Sequence, residues 1–441
     1  CFISFCLAVG FSLLFQPVFN QLLDTHVAIE EHLTVPIVLS VVLAVAGLGV
    51  IAGLAPAFLI TRFNPVDVVK GAFRKKSKGT YSKALISFQY TIAIALIACT
   101  IVIWKQTDFL RHYQLGFDQE NVICIENSGV SGEQMEALRS EFEKIPEVVG
   151  VSFVCGTPVD GGNNNSFTYK DRSLSFQDFR VDTAFFRLMG IEVKRNNVAM
   201  SAQGRWLNEA GVKALELDSM PTECNFDGQG SIPILGVVKD FHFRDLTQEV
   251  GPAYFRPLGE KEWPWSILVK VSAVDIGRAY KQVTNTYKEF TNGALTEAKF
   301  MDQTINQWYE GSERTGRLIG YFSGLAIVLS MMGILAMAAY FIQQRVKEIG
   351  IRRVNGATVA EVLRMLVNSF MKWIVLAFVL ACPVAWYAMT NWLSGFAYGI
   401  DLSWWIFGLA GMFAALIALL IVGWQSVKAA MVNPVHSLKN E

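Results

Sequence analysis

The sequence QQRVKEIGIRRVNGATVAEVLRMLVNSFMK occupies residues 343–372, between two apolar runs that are each long enough to cross a membrane. Only Glu348 and Glu361 are acidic in this segment. The basic residues are Arg345, Lys347, Arg352, Arg353, Arg364 and Lys372. Because short basic loops stay on the cytoplasmic side of a bilayer, we expect this segment to lie inside the cell.

The local pattern of residues 343–372, which we call the elbow, predicts two helices joined by a tight turn. Asn355-Gly356 can adopt the left-handed conformation that ends a helix. Thr358 and Glu361 have the spacing of a capping box that starts a second helix. An elbow that is joined rigidly to two membrane helices can pass a push from a soluble partner into the bilayer. The plainer alternative is that its arginines only fix the membrane topology.

The composition predicts a protein that is partly in the bilayer and partly globular. Of 441 residues, 52% are hydrophobic and 17% are charged, which is too apolar for a wholly soluble protein and too charged for a wholly membranous one. The formal net charge is zero, so the overall charge gives no support to nucleic-acid binding.

Six apolar stretches reach or approach the roughly 20 residues that span a bilayer. They are residues 1–16, 35–60, 84–104, 318–342, 373–392 and 404–426. The first is apolar from Cys1 onward and has no charged region before it, so we interpret it as a membrane helix cut at its start and not as a signal peptide. The central portions of the spans carry no charged residue, which argues against a secondary transporter with an ion pathway.

The charges between the spans predict which side of the membrane each segment occupies. Residues 17–34 contain acids but no Lys or Arg, so this loop is expected outside. The linker 62–83 carries seven basic residues against one acid and is expected inside, as a hinge between two halves. The same alternation places residues 105–317 outside and the tail, residues 428–441, inside.

Residues 105–317 are long enough for an independent domain, and their pattern predicts an α+β fold. Strands are predicted at 122–126, 148–154, 232–238 and 266–271. Helices are predicted at 132–145, 183–189, 208–217 and 274–290. Gly156–Ser166 has turn chemistry and is expected to be an exposed loop. No Gly/Pro cluster separates the polar and apolar parts after Phe300, which predicts one continuous helix, a stalk, into the bilayer.

Sites for chemistry are not evident in the sequence. It contains no P-loop and no zinc-protease or nucleophile-elbow motif, so we expect no cofactor, no enzymatic activity and an energy source in a partner. Residues 240–245, DFHFRD, are interpreted as a turn anchored by aromatic side chains. Cys124, Cys155 and Cys224 fall in the predicted domain; one disulfide among them is possible, but their odd number favours three buried thiols.

A short internal repeat predicts a duplicated architecture. Asn64-Pro65-Val66 recurs as Asn433-Pro434-Val435, each just inside a span, and FNQLL at 19–23 resembles TNWLS at 390–394. The matching topology indicates the tail of one unit, residues 1–61, followed by one whole unit. Two such units would pair as a pseudo-dimer, or as a homo- or heterodimer of chains.

The elbow string EIGIRRVNGA resembles the cytoplasmic elbow of FtsX/MacB-type ABC transporter permeases. VDTAFFRLMGIEV at 181–193, GVVKDFHFRDL at 236–246 and the stretch 312–357 are also similar to that family, and the resemblance covers essentially residues 35–441. The chain looks most like a duplicated form common in Bacteroidetes-like bacteria, truncated at its N-terminus, because a complete one would have two elbows and two external domains.

This resemblance implies a polytopic α-helical protein of the bacterial inner membrane with an inserted α+β extracytoplasmic domain. Residues 105–317 would be a MacB-like periplasmic core domain with its stalk, and 318–427 an FtsX-like permease domain. A cytoplasmic ABC ATPase would push the elbow and move the periplasmic domain, which exports a drug, peptide or lipoprotein. The alternatives are activation of cell-wall hydrolases, and a passive membrane anchor for a binding domain. The expected ATPase-coupling residues are Glu348, Gly350, Arg352, Arg353, Gly356, Thr358 and Glu361.

Overall fold

The computed structural model describes residues 2–23, 28, 34–61, 80–196, 204–217, 222–225, 230–294 and 296–430. Their contacts divide the chain into two compact units. The helical unit comprises residues 1–100, 314–385 and 404–441, and the α+β unit comprises residues 101–313 and 386–403. The NPV motifs at 64–66 and 433–435 lie outside the described residues, so the predicted duplication stays a prediction.

The described residues form ten α-helices, one short 3-10 helix (Gly132–Gln134) and eleven strands. The helices are α1 (Phe2–Leu23), α2 (Val35–Thr61), α3 (Thr80–Arg111), α4 (Met135–Glu143), α5 (Phe185–Leu188), α6 (Glu209–Ala214), α7 (Ile276–Phe290), α8 (Met301–Val354), α9 (Val359–Leu393) and α10 (Trp404–Ala430). The strands are β1 (Val122–Glu126), β2 (Val148–Cys155), β3 (Asn163–Tyr169), β4 (Arg172–Val181), β5 (Val193–Asn196), β6 (Arg205–Asn208), β7 (Glu223–Asn225), β8 (Ser231–Val238), β9 (Ala253–Pro257), β10 (Ser266–Val271) and β11 (Ala298–Phe300).

Five described helices are long and apolar enough to cross a membrane. They contain the segments Phe2–Gln21, Ala84–Arg111, Met301–Tyr340, Leu363–Leu393 and Trp404–Val427. The sixth predicted span corresponds to α2, whose apolar segment Val35–Ile51 is shorter. The fold class is therefore confirmed: the chain is a polytopic α-helical membrane protein with an inserted α+β domain.

Helix α3 is longer than the predicted span 84–104. It begins at Thr80, inside the predicted linker, and ends at Arg111. The helix continues beyond residue 104 because Leu110, near its end, is buried in a core cluster of the α+β unit. Helix α8 is also one uninterrupted element of 54 residues, as predicted for the stalk.

Small residues let the helices of the helical unit approach one another. Ala377, Ala381 and Ala385 form a buried stripe on α9, and the matching stripe on α10 is Ala410, Ala414 and Ala418. Spacing of four residues puts each stripe on one helix face, and small side chains permit close packing between membrane helices. Two hydrogen bonds of hydroxyl groups connect α3 to α9 and α8. Ser87 Oγ donates to the Trp373 carbonyl at 3.2 Å, and the hydroxyl oxygens of Thr100 and Ser323 are hydrogen-bonded at 2.9 Å.

The α+β unit is built on one eleven-stranded sheet with the order β11-β1-β10-β2-β4-β9-β6-β8-β5; β3 pairs with β4 and β7 with β8. Most pairs are antiparallel, whereas β4/β9 and β6/β8 are parallel. Alternate residues of the central strands enter two different cores. Ile267 and Val269 pack in the cluster that includes residues of α4 and α7, while Leu268 packs in the opposite cluster with Leu110 of α3 and Ile305 of α8. Burial on both faces explains why these strands read as continuous apolar runs.

The four predicted strands are present as β1, β2, β8 and β10, and the four predicted helices contain α4 to α7. The remaining strands were not predicted. They are short or rich in polar residues, so they carry little hydrophobic signal of their own; β3 and β4 pair across the short turn between Tyr169 and Arg172. Cys124, Cys155 and Cys224 are free thiols in the structure; Cys155 and Cys224 are buried and Cys124 is partly buried. Burial raises the pKa of each of these thiols.

The expectation of an exposed loop at Gly156–Ser166 is wrong for most of the segment, although residues 163–166 are exposed as expected. Its second part belongs to β3, where Asn163 pairs with Asp178 of β4. Its first part is buried, apart from Asp160, because Val159 packs in the core cluster that contains Phe179. The turn itself is held by Thr157 Oγ1, which accepts from the amides of Val159 and Asp160 at 3.2 and 3.0 Å. Turn-forming residues predicted the turn correctly, but the burial depends on tertiary contacts that local chemistry does not encode.

Candidate coupling elbow

The elbow contains a tight helix stop between α8 and α9. Gly356 has φ of +88°, a conformation that glycine adopts without steric cost. The Ala357 amide donates to the Arg352 carbonyl at 2.9 Å, and the Asn355 amide donates to the Ile351 carbonyl at 3.0 Å. The bond from Ala357 back to Arg352 is the long bond of a Schellman motif. The chain therefore reverses within a few residues, as the Asn355-Gly356 pair predicted.

The second helix of the elbow starts with a reciprocal capping box. The Glu361 carboxylate accepts from the Thr358 amide at 2.9 Å, and Thr358 Oγ1 accepts from the Glu361 amide at 3.3 Å. Two amides that the helix leaves without partners are thereby satisfied. The negative charge of Glu361 also lies in the first turn of α9, where the helix dipole favours it.

The structure brings four of the seven predicted site residues into one exposed turn. Arg352, Gly356, Thr358 and Glu361 are all exposed. Ile351 beside them is 49% exposed, which is high for an isoleucine and adds apolar area to the same turn. Glu348, Gly350 and Arg353 lie on α8, but the side chains of Glu348 and Arg353 are outside the described residues. The coupling role of these residues remains a prediction.

Helix α8 begins in the core of the α+β unit. Met301, Ile305 and Tyr309, from its first turns, are buried in the same cluster as Leu110 near the end of α3. Buried side chains on successive turns fix both the position and the direction of a helix, because interiors are closely packed. The start of α8 is thus part of the sheet domain and not a flexible tether.

The segment 240–245 forms a turn anchored by aromatic side chains, as predicted. Phe241 and Phe243 are almost fully buried. The ring centroid of Phe241 lies 5.7 Å from that of Phe255, and the ring centroid of Phe243 lies 5.6 Å from that of Phe179. His242 is also buried, and burial lowers its pKa. Among the described residues, no group of three or more His, Cys, Asp or Glu side chains is arranged to hold a metal ion.

Comparison with known families assigns the C-terminal part of the chain. Residues 320–434 match the model of the FtsX-like permease C-terminal domain. The chain carries an FtsX-like permease domain. The matched residues include most of α8, the whole elbow, α9 and α10. The predicted relation to FtsX-like permeases is therefore confirmed for this part of the chain.

Two solved structures are similar to parts of this chain. One is the periplasmic region of MacB from Actinobacillus actinomycetemcomitans, at 18% identity over 44% of this chain and 94% of that chain, with a TM-score of 0.32. The other is the extracellular domain of the noncanonic ABC-type transporter YknZ from Gram-positive bacteria, at 9% identity over 41% of this chain and 100% of that chain, with a TM-score of 0.31. No curated protein matches the sequence. Likeness at this level assigns no substrate to the permease.

The FtsX-like permease domain and the apolar helices bear on location and partners. The apolar helices and the FtsX-like match indicate a multi-pass membrane protein, as predicted. Its placement in an inner membrane, with residues 105–317 in the periplasm, remains a prediction. A permease is a transporter component and not itself an enzyme. Because permeases of ABC systems work with a cytoplasmic ATPase, the family also implies that partner.

Proposed function

We propose that this chain is the membrane subunit of an ABC-type system in which a separate ATPase pushes the elbow and thereby moves the α+β unit. The movement serves export or extrusion of a substrate such as a drug, peptide or lipoprotein. The observation that carries the proposal is α8, one helix that runs from the α+β core at Met301 to the elbow turn after Val354. A continuous helix conveys a displacement that a flexible linker would absorb.

Two further features support an ATPase partner on the elbow. Residues 1–441 contain no P-loop, so ATP chemistry has to come from outside these residues. The turn is held by its own backbone and capping bonds, so it has a defined shape before any partner binds. The guanidinium groups of Arg352 and Arg353 provide planar donors that can pair with carboxylates of the ATPase.

The size of the α+β unit favours export over activation of a cell-wall hydrolase. An eleven-stranded sheet with three core clusters is a larger body than a simple docking site requires. Binding of a hydrolase to this unit, without stimulation of ATP hydrolysis by any exported compound, would favour activation.

The test is purification of the chain with its ATPase from native membranes, followed by reconstitution of an Arg353→Glu variant. We expect the variant to insert normally but to bind the ATPase about 30-fold or more weakly, because truncating one side of a desolvated charge pair costs about 2 to 5 kcal/mol. Lys213→Glu, at an exposed position of α6 in the α+β unit, is the control and should bind normally. A stable wild-type complex that contains no ATPase would contradict the proposal.

A further inference from the structure

The loop between α9 and α10, residues 394–403, belongs to the α+β unit and is bound to its main segment, residues 101–313, by backbone hydrogen bonds. The Ala397 amide donates to the Thr247 carbonyl at 3.2 Å, and the Tyr398 amide donates to the Leu246 carbonyl at 3.4 Å. Thr247 and Leu246 follow the aromatic turn 240–245. A loop that only joined two membrane helices would need no such pairing, since its amides could bond to water.

Gln106 of α3 makes two further bonds to this loop. Its side chain is fully buried; Nε2 donates to the Tyr398 carbonyl at 3.0 Å, and Oε1 accepts from the Ile400 amide at 2.9 Å. A buried carboxamide is costly unless both its ends are paired, and here both are. The loop therefore supplies the partners that allow a polar side chain to be buried at the end of an apolar helix.

A cluster of aromatic rings also packs where this loop meets the rest of the α+β unit. The Tyr398 ring centroid lies 5.1 Å from Tyr113 and 4.8 Å from His242, and Tyr113 and His242 are 5.4 Å apart. The three rings come from three separate segments: the residues after α3, the turn after β8, and the loop. Phe396 packs against the adjoining core cluster as well. Hydrogen bonds and apolar contacts thus both hold the loop.

We propose that residues 394–403 form a latch that carries the movement of α9 into the α+β unit, as a second route beside α8. The elbow has two arms: α8 begins in the α+β core, and α9 ends at Leu393, immediately before the latch. Because both arms end on the same body, a displacement of the elbow reaches that body at two points. Gln106 is the positioning residue of the second point. This inference rests on the proposed function.

The first test measures docking alone, by hydrogen exchange of the full-length chain in lipid. Gln106→Leu removes both side-chain bonds, and the amides of Tyr398 and Ile400 should then exchange about tenfold faster or more, as expected for two lost bonds. Ser394→Ala is the matched control in the same loop, since Ser394 Oγ bonds only within the loop region, to the Asn391 carbonyl at 2.8 Å. Unchanged exchange in Gln106→Leu would overturn the latch.

The second test measures transmission in the reconstituted complex with the ATPase. Trapping the ATPase with ADP and vanadate should change exchange within the α+β unit, and Gln106→Leu should reduce that change about twofold, since one of two routes is lost. ATPase binding through the elbow should be unaffected. If exchange at Tyr398 rises while the nucleotide-dependent change stays at its wild-type size, the loop is only structural and the latch is wrong. If no ATPase binds even the wild type, the proposed function fails instead.

A disulfide provides the rescue that separates loss of the latch from misfolding. Thr247 and Ala397 are exposed and joined by a backbone bond, so Thr247→Cys with Ala397→Cys can cross-link the loop to the unit. In the Gln106→Leu background, the oxidised protein should regain the nucleotide-dependent change, and the reduced protein should lose it again. An oxidised protein that shows no recovery would contradict the latch.

Discussion

The elbow and the latch both follow the end of a membrane-associated helix, yet they are held in opposite ways. The bonds of the elbow join near neighbours, such as Ala357 to Arg352 and Thr358 to Glu361. The two bonds of Gln106 to the latch join residues 292 and 294 positions apart. A locally bonded turn keeps its shape whatever the rest of the chain does, whereas the latch exists only when the α+β unit is folded. The first suits a fixed docking surface, and the second suits a contact that can be made and broken.

The largest expected effect comes from removing long-range hydrogen bonds in the α+β unit, by substituting Asp182. Its carboxylate accepts from Arg139 at 2.6 Å, from Ser152 Oγ at 2.7 Å and from two backbone amides. Asp182→Ala leaves the largely buried Arg139 guanidinium without this partner, so we expect the free energy of unfolding of the α+β unit to fall by about 3 kcal/mol. Thermal unfolding monitored by tryptophan fluorescence measures it.

A matched control uses the other carboxylate that bonds Arg139. Glu136 is 82% exposed, so Glu136→Ala should cost less than about 1 kcal/mol. In Asp182→Ala, protection of the Tyr398 amide should also fall while that of the Glu361 amide is kept. Equal loss of protection at both amides would contradict the division into local and long-range contacts.

The next effect tests the local side of the comparison, at Gly356. A β-branched residue is strained at φ of +88°, so Gly356→Val should cost about 2 kcal/mol in the turn and misdirect α9. We expect normal membrane insertion but ATP hydrolysis that no longer moves the α+β unit, measured in reconstituted complexes. The control is Gly408→Val in α10, where an added Cβ meets nothing within 4 Å. Wild-type coupling in Gly356→Val would show that the elbow only sets topology.

The same contrast explains what the sequence could and could not predict. Asn355-Gly356 and the Thr358/Glu361 spacing predicted the elbow because all of its bonds are local. The apolar runs predicted β1, β2, β8 and β10 because these strands carry their own hydrophobic signal. Strand β3, with the sequence NNNSFTY, was missed because only its pairing with β4 makes it a strand. Gln106 was not singled out either, although a lone amide at the end of an apolar run was a signal that could have been followed.

A smaller effect is expected from the capping box. Thr358→Ala removes the acceptor of the Glu361 amide and should destabilise the first turn of α9 by about 1 kcal/mol. Hydrogen exchange of the amides at 359–361 measures this, and they should exchange several-fold faster. Thr358→Ser keeps the hydroxyl and is the control, with exchange close to that of the wild type. If amides of the α+β unit also exchanged faster, the bonds of the elbow would be less local than the structure indicates.

The smallest expected effect is a pH dependence of the latch that comes from His242. Burial between Tyr113 and Tyr398 lowers the pKa of His242 below the value of about 6.5 that an exposed imidazole has, so the native state favours the neutral ring. Well above pH 6.5 the imidazole is neutral in both folded and unfolded states, and its contribution does not change. As the pH falls below that value, the unfolded chain binds the proton first, so stability is lost by about 1.4 kcal/mol for each unit by which the pKa is depressed. The measurement is the difference in free energy of unfolding between the wild type and His242→Phe from pH 7.5 to pH 5, which cancels the titration of all groups common to both. As the pH falls, the difference should shift in favour of His242→Phe, and the Tyr398 amide should exchange faster in the wild type alone. A difference that is constant with pH would show that His242 titrates normally and that the latch is insensitive to acid.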